Sequence, residues 1–183
     1  MLGGAIELLL LERKYTEVLE MAQKAPDGLF AAVPGAIAQK YFAIGVAEKG
    51  LGHDGEARSA FLKARGFAEQ NVKQKPDEAD ARVQVAKLHA LLGEKDAALA
   101  EAQRAMQLRP ESKDAFEGPQ ITAQVAEVYT ILGDHDHAID LLEGLLNRPS
   151  DVSVYSLKLS PAWDSLRKDP RFQALIDKYG AKA

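Results

Sequence analysis

Apolar and polar residues alternate along this chain with the period of a helix, and one pattern is written three times. The segments IGVAEKGLGHDGEARSAFLKA, VAKLHALLGEKDAALAEAQRA and VAEVYTILGDHDHAIDLLEGL align without gaps. Ile44, Val85 and Val125 fall in one column, and Gly45, Ala86 and Ala126 in the next. Leu51, Leu92 and Leu132 follow, then Gly52, Gly93 and Gly133, then Ala57, Ala98 and Ala138, then Phe61, Ala102 and Leu142. Self-similarity at a spacing of about 40 residues marks a repeat architecture, in which each unit hides its apolar face against a neighbour. In the second copy Val85, Leu88 and Leu92 share one helical stripe, and Gly93 supplies the left-handed residue at which a helix stops. Ala98, Ala102 and Ala105 then keep one face of a return helix small, so that two axes can approach closely. Each unit predicts an antiparallel helical hairpin. Together they predict an all-α fold, an α-solenoid of hairpins with a C-terminal two-helix cap.

A weaker copy precedes these three. Ala5 to Arg13 predicts a helix and RKYTEVLEMAQKAP its return partner, with Val18, Ala22 and Ala25 on the inner face and Pro26 at the end. Pro34 stands near the start of the next helix, Ala36 to Lys49, where its missing donor costs nothing. Of two longer connections, NVKQKPDEAD around Pro76 is expected to prolong a return helix. RPESKDAFEGPQ is expected to be a loop, ended by Gly118 and Pro119 as cap and first helical residue. Beyond Leu146, NRPSDVSVYSLKLS has Pro149, several β-branched residues and little helical period, and reads as an extended connection. Ser160-Pro161 and Asp169-Pro170 each pair an N-cap with proline. They open two short helices, the first carrying Trp163 and Leu166, the second Phe172, Leu175, Ile176 and Tyr179. The expected organisation is a degenerate hairpin over 1–33, three clear hairpins over 34–150, and a connection with capping helices over 151–183. Trp163 and Phe172 are expected to plug the end of the stack.

Composition narrows the function classes. The chain has 183 residues, 46% of them hydrophobic, enough for a real core. Lys plus Arg number 23 against 27 Asp plus Glu, a formal net charge of -4, which lacks the basic surplus that binding to phosphate backbones requires. No nucleic-acid partner is expected. The absence of Cys excludes disulfides, thiolate nucleophiles and Cys-ligated metals, and leaves the compartment open. The longest apolar stretch, Ala5 to Leu11, is interrupted by Glu7 and is far shorter than the ~20 residues that cross a bilayer. No Lys or Arg precedes it, as a signal peptide would require, and no membrane partner is expected.

Chemistry-bearing motifs give little. GLGHDG carries Gly50, Gly52 and Gly55 in the spacing of a dinucleotide fingerprint, but that motif works after a strand, and here a helix precedes it. Asp134, His135, Asp136 and His137 combine metal-ligating side chains, yet two His two apart do not share a helix face as an i, i+4 pair does. A solvated, helix-capping turn is expected there, as for His53-Asp54 in the equivalent turn. His89 shares a column with Tyr129 and is expected to be a hydrogen-bonded core or groove residue. Nucleophile elbow, zinc-protease helix and P-loop motifs are absent. Arg58, Lys63, Arg65, Lys73 and Lys75 line one long helix, spread around it as solvating charges usually are. No catalysis, no cofactor and no metal are expected.

The run VAKLHALLGEKDAALAEAQRAMQLRP, with its small residue, bulky residue, turn glycine, early alanine and trailing proline, resembles a tetratricopeptide repeat. SKDAFEGPQ, GDHDHAIDLLEGLL and SPAWDSLRKDPRF are similar to the C-terminal repeat region of bacterial signalling proteins, where such repeats follow a cyclase, kinase or winged-helix module. The resemblance implies a cytoplasmic protein-protein interaction scaffold that receives a protein or peptide on a concave surface built from the first helix of each hairpin. The groove-facing residues it implies are Gln39, Phe42, Val46 and Lys49, then Asp80, Val83 and Lys87, then Gln120, Ala123, Glu127 and Thr130. The family's best-known groove chemistry, a Lys and Asn clamp on a peptide carboxylate, would need Asn where Val46, Lys87 and Glu127 stand. The alternative reading is self-association, a homodimer or an intramolecular regulatory module of a larger signalling protein.

Overall fold

The structure, a computed structural model, describes residues 2–29 and 35–180. Among them all regular secondary structure is helical, and no helix is long and apolar enough to cross a membrane. The chain divides into two compact units, Met1–Asp77 and Glu78–Ala183. The position expected for Pro34 lies outside the described residues.

The first unit holds α1 (Leu2–Leu11), α2 (Tyr15–Lys24), α3 (Ala36–Gly50) and α4 (Asp54–Gln74), with a 3-10 turn at Asp27–Leu29. Helix α4 runs on almost to Pro76, as the sequence predicts for a prolonged return helix. Successive helices pack on one another, and α1 also touches α3. Ile6, Val18 and Ala22 form a core with Ala43 and Ala47. Against α3, helix α4 buries Ala57, Ala60, Phe61, Ala64 and Ala68. The small residue at Gly45 is required by this contact, because a Cβ there would come 2.4 Å from Cε1 of Phe61.

The second unit holds α5 (Ala79–Leu91), α6 (Lys95–Leu108), α7 (Gly118–Ile131), α8 (His135–Leu146), α9 (Val154–Leu159), a 3-10 helix at Pro161–Leu166, and α10 (Pro170–Gly180). The hairpins are α5 with α6 and α7 with α8, and the two first helices, α5 and α7, lie side by side. Ala79, Val83, Ala86 and Ala90 pack with Ala98, Ala102 and Ala105 and with Ile121, Val125 and Val128. A second core joins Ala138, Ile139, Leu142 and Leu145 to the terminal elements through Leu157, Trp163, Leu166, Phe172, Leu175 and Ile176. Trp163 and Phe172 are both buried in this core. Polar contacts flank it: Arg171 pairs with Asp136 and Asp140, Lys178 with Glu143, and the Tyr179 hydroxyl donates to Asn147 Oδ1 at 2.6 Å.

All four hairpin turns share one geometry. The amide three residues past each helix end reaches back five residues: Lys14 to Leu9, His53 to Glu48, Glu94 to His89 and Asp134 to Tyr129, each at 2.9 Å. This is the Schellman arrangement, which satisfies otherwise orphaned carbonyls and needs a left-handed residue between. Gly52, Gly93 and Gly133 provide it with φ of 82°, 82° and 76°. In the weak first copy Arg13 takes the same place at φ 57°.

Two expectations are corrected. The segment expected to be extended contains α9, because Ser153 and Ser156 form a reciprocal capping box while Val154 and Leu157, one turn apart, are buried. The cap thus has three short elements where two were expected. Glu117, rather than Gly118, precedes the first turn of α7, and Pro119 follows Gly118 inside it, where a missing amide donor still costs nothing.

Candidate functional site

The exposed face of the first helices can be assembled side chain by side chain. In the second unit Asp80 and Lys87 stand two turns apart on α5, and Gln120, Ala123 and Glu127 follow a stripe along α7. Because α5 and α7 are neighbours, their polar side chains meet across the seam. Lys87 Nζ lies 2.6 Å from Glu127 Oε2, with the two side chains 15% and 29% exposed. Gln124 donates from Nε2 to Asp80 Oδ1 at 3.1 Å, and Gln120 donates to Asp151 Oδ2 at 2.9 Å. Ala123 is half-buried against the capping cluster. The result is a floor of fixed polar groups in which Lys87 and Glu127, at two of the positions where a carboxylate clamp needs Asn, neutralise each other.

The first unit contributes a separate face. Gln39 and Lys49 of α3 are exposed, and Phe42 and Val46 between them are half-buried. Phe42 leans on Phe61 with centroids 6.2 Å apart. This face is mixed, with an apolar middle and polar ends.

Two of the expected groove residues do not reach the surface. Val83 has no exposed area, since it belongs to the buried stripe of Ala79, Ala86 and Ala90. Thr130 is 4% exposed, and its hydroxyl donates back to the Ala126 carbonyl at 2.8 Å. Both support the face from below. Gln124, one position from Ala123, was missed; its place beside Glu127 on the exposed side of α7 is the signal that could have found it.

A second polar cluster in the first unit was not read from the sequence. Lys40, 8% exposed, donates to the Ala25 carbonyl at 2.7 Å and to Asp27 Oδ1 at 2.6 Å. The Tyr41 hydroxyl donates to Asp27 Oδ2 at 3.0 Å. These hydrogen bonds, the one from Lys40 foremost, hold the Asp27 carboxyl below its usual range. Burial, then the bond to Asp27, pushes the Tyr41 phenol up. Tyr41 also stacks on Phe67 at 5.9 Å, with Lys63 over its ring. The cluster ties Ala25 and Asp27, just past α2, to α3. Lys40 sits on a helix with no acid at i±4, so no local spacing announces it.

The chemical motifs resolve into structure. In GLGHDG, Gly50 lies under the Tyr15 ring, Gly52 is the turn residue, and α3 precedes them. The Asp134 to His137 side chains point to different partners. Asp134 caps α8 and pairs with His137 Nδ1 at 2.7 Å, His135 faces Asp169 at 3.7 Å, and Asp136 pairs with Arg171. The His137 ring is raised above its ordinary value chiefly by the bond to Asp134, whose own carboxyl is lowered by it. Among the described residues no group of three or more His, Asp or Glu side chains is arranged to hold a metal. His89 bonds through Nδ1 to Glu94.

Comparison with family models, with curated proteins and with solved structures found no match to this chain.

Proposed function

We propose that this protein is a tetratricopeptide-like interaction scaffold that binds an extended peptide or a protein segment across α5 and α7, the first helices of the second unit's hairpins, and contributes no chemistry of its own. The observation that carries the reading is the seam between α5 and α7. There, charged and amide side chains from two helices are held in register by Lys87–Glu127 and Gln124–Asp80 before any ligand arrives. Side chains already fixed lose little freedom on binding, which lowers the ordering cost of association. The face offers both donors and acceptors along its length, as a peptide backbone in extended form requires. The solenoid reading rests on the same side-by-side first helices within the unit, on the repeated glycine turn and on the capping elements over the last hairpin.

Selection of a random peptide library against the whole protein tests this reading. Selected peptides should compete with one another and should lose about tenfold or more in affinity on Lys87→Glu, an effect sized for a partly buried charge pair broken at an interface. Peptides that bind Lys87→Glu and Glu127→Lys as tightly as they bind the unaltered protein would overturn it.

A further inference from the structure

We propose that the segment received by the α5–α7 face is basic at one end and apolar at the other, with a Lys or Arg about five residues of extended backbone away from a large hydrophobic side chain. The assignment rests on that face being the binding face, and adds the chemistry of its ligand.

Asp80, Lys87 and Leu91 recur along α5 at intervals of seven and four residues, which keeps them on one stripe. Gln120, Glu127 and Ile131 recur at the same intervals along α7. Asp80 meets Gln124 and Lys87 meets Glu127, so the two helices run in the same direction and their like ends adjoin. The face therefore changes character along its length. At the starts of the helices lie two carboxylates held by amides: Gln124 donates to Asp80, and Gln120, one turn away on α7, donates to Asp151. An amide leaves the charge of its carboxylate in place, whereas Lys87 cancels that of Glu127. Asp80, Glu127 and Asp151 thus stand against Lys87 alone, and the two uncancelled charges share one end. Cations beside that end are already engaged, Arg82 with Glu101 and Arg148 with Glu111. The partial positive charge of the helix starts does not reverse the balance. Glu78 stands immediately before α5, and Asp114 accepts the amides of Phe116 and Glu117 before α7. At the other end, one turn beyond the ion pair, Leu91 and Ile131 close the stripe as half-buried apolar side chains.

From Asp80 to Leu91 the helix rises about 16 Å, which extended backbone at about 3.3 Å per residue covers in about five residues. An ionised carboxylate has lone pairs to spare beside a single amide, so an incoming ammonium or guanidinium can bind Asp80 or Asp151 without displacing a glutamine. An acidic segment would be repelled at this end. A wholly apolar one would cover two charges and pair neither.

Peptides selected by the whole protein from a random library test the assignment. They should be enriched in Lys or Arg, with Leu, Ile, Met or Phe about five positions away. Asp80→Lys and Asp151→Lys should each weaken them about tenfold. A selected peptide whose basic residue is exchanged for Glu should lose binding to the unaltered protein and regain it on the double variant, Asp80→Lys with Asp151→Lys. Both aspartates are exposed, so circular dichroism should report unchanged helix in all three variants. Peptides that lose affinity on Lys87→Glu yet are acidic or uncharged, or that ignore both aspartate reversals, would overturn this inference and leave the binding face in place. An empty selection, or peptides indifferent to Lys87→Glu and Glu127→Lys as well, would overturn both.

Discussion

Arg13, at φ 57°, holds the turn position that Gly52 holds at φ 82° in the next hairpin. The backbone hydrogen bonds around the two are the same. A side chain in the left-handed region is strained by roughly 1–2 kcal/mol, and glycine gives part of that back through its larger freedom in the unfolded chain. Arg13→Gly should therefore stabilise the α1–α2 hairpin by about 0.5–1 kcal/mol, read as a few-fold slowing of amide exchange in α1 and α2. Unchanged or faster exchange would mean that Arg13 is not strained.

Gly45→Ala should reverse the usual helix preference. Replacing a mid-helix glycine by alanine ordinarily stabilises by roughly 0.5–1 kcal/mol. Here the new methyl would meet the Phe61 ring, and overpacking of about 1–3 kcal/mol should dominate. Urea denaturation of Gly45→Ala checks the sign. Phe61→Leu in the same chain should recover part of the loss, since the later copies pair Ala86 with Ala102 and Ala126 with Leu142 in these columns.

Lys40→Met removes the cation that satisfies the Ala25 carbonyl and Asp27. A loss of about 2 kcal/mol is expected at neutral pH, the size of a hydrogen bond to a charged group. Because the folded-state value of Asp27 is lowered, its contribution is present above the ordinary carboxylate value of 3.8 and is lost as pH falls through the lower folded value. Denaturation curves of the two proteins should thus converge on acidification. A difference that persists undiminished at pH well below 3.8 would count against the Asp27 pairing.

The Asp134–His137 pair should respond to pH from both sides. His137 is raised, so its contribution is complete below 6.5 and fades as pH climbs through the raised value. Asp134 is lowered, so its contribution is present above 3.8 and fades as pH falls through the lowered value. The pair is strongest between those two ordinary values. A nuclear magnetic resonance titration should place the His137 ring above 6.5, and Asp134→Asn should return it toward that value. A wild-type midpoint at or below 6.5 would contradict the pairing.

The hairpins were legible because each depends on residues close in sequence. A left-handed turn favours glycine, as at Gly52, Gly93 and Gly133, and a close helix contact favours a small residue, as at Gly45, Ala86 and Ala126. The hidden α9 shows where local reading fails. Val152, Val154 and the serines around them disfavour a helix interior, yet Ser153 and Ser156 make a cap and the buried Leu157 secures it. The face was read less sharply than the fold. Val83 lies one helical step from the exposed stripe, and the packing of α5 against α7 decides which side of that step is hidden. The Lys40–Asp27 contact joins residues 13 apart that share no helix, and no periodicity encodes it.

Hydrogen exchange of the whole protein with and without a selected peptide tests the central claim most directly. The peptide should slow exchange in α5 and α7, strongest around Asp80, Lys87 and Glu127, and leave α6 and α8 nearly unchanged. Protection centred on α6 and α8, or none on α5 and α7 at saturating peptide, would contradict a binding face made of first helices.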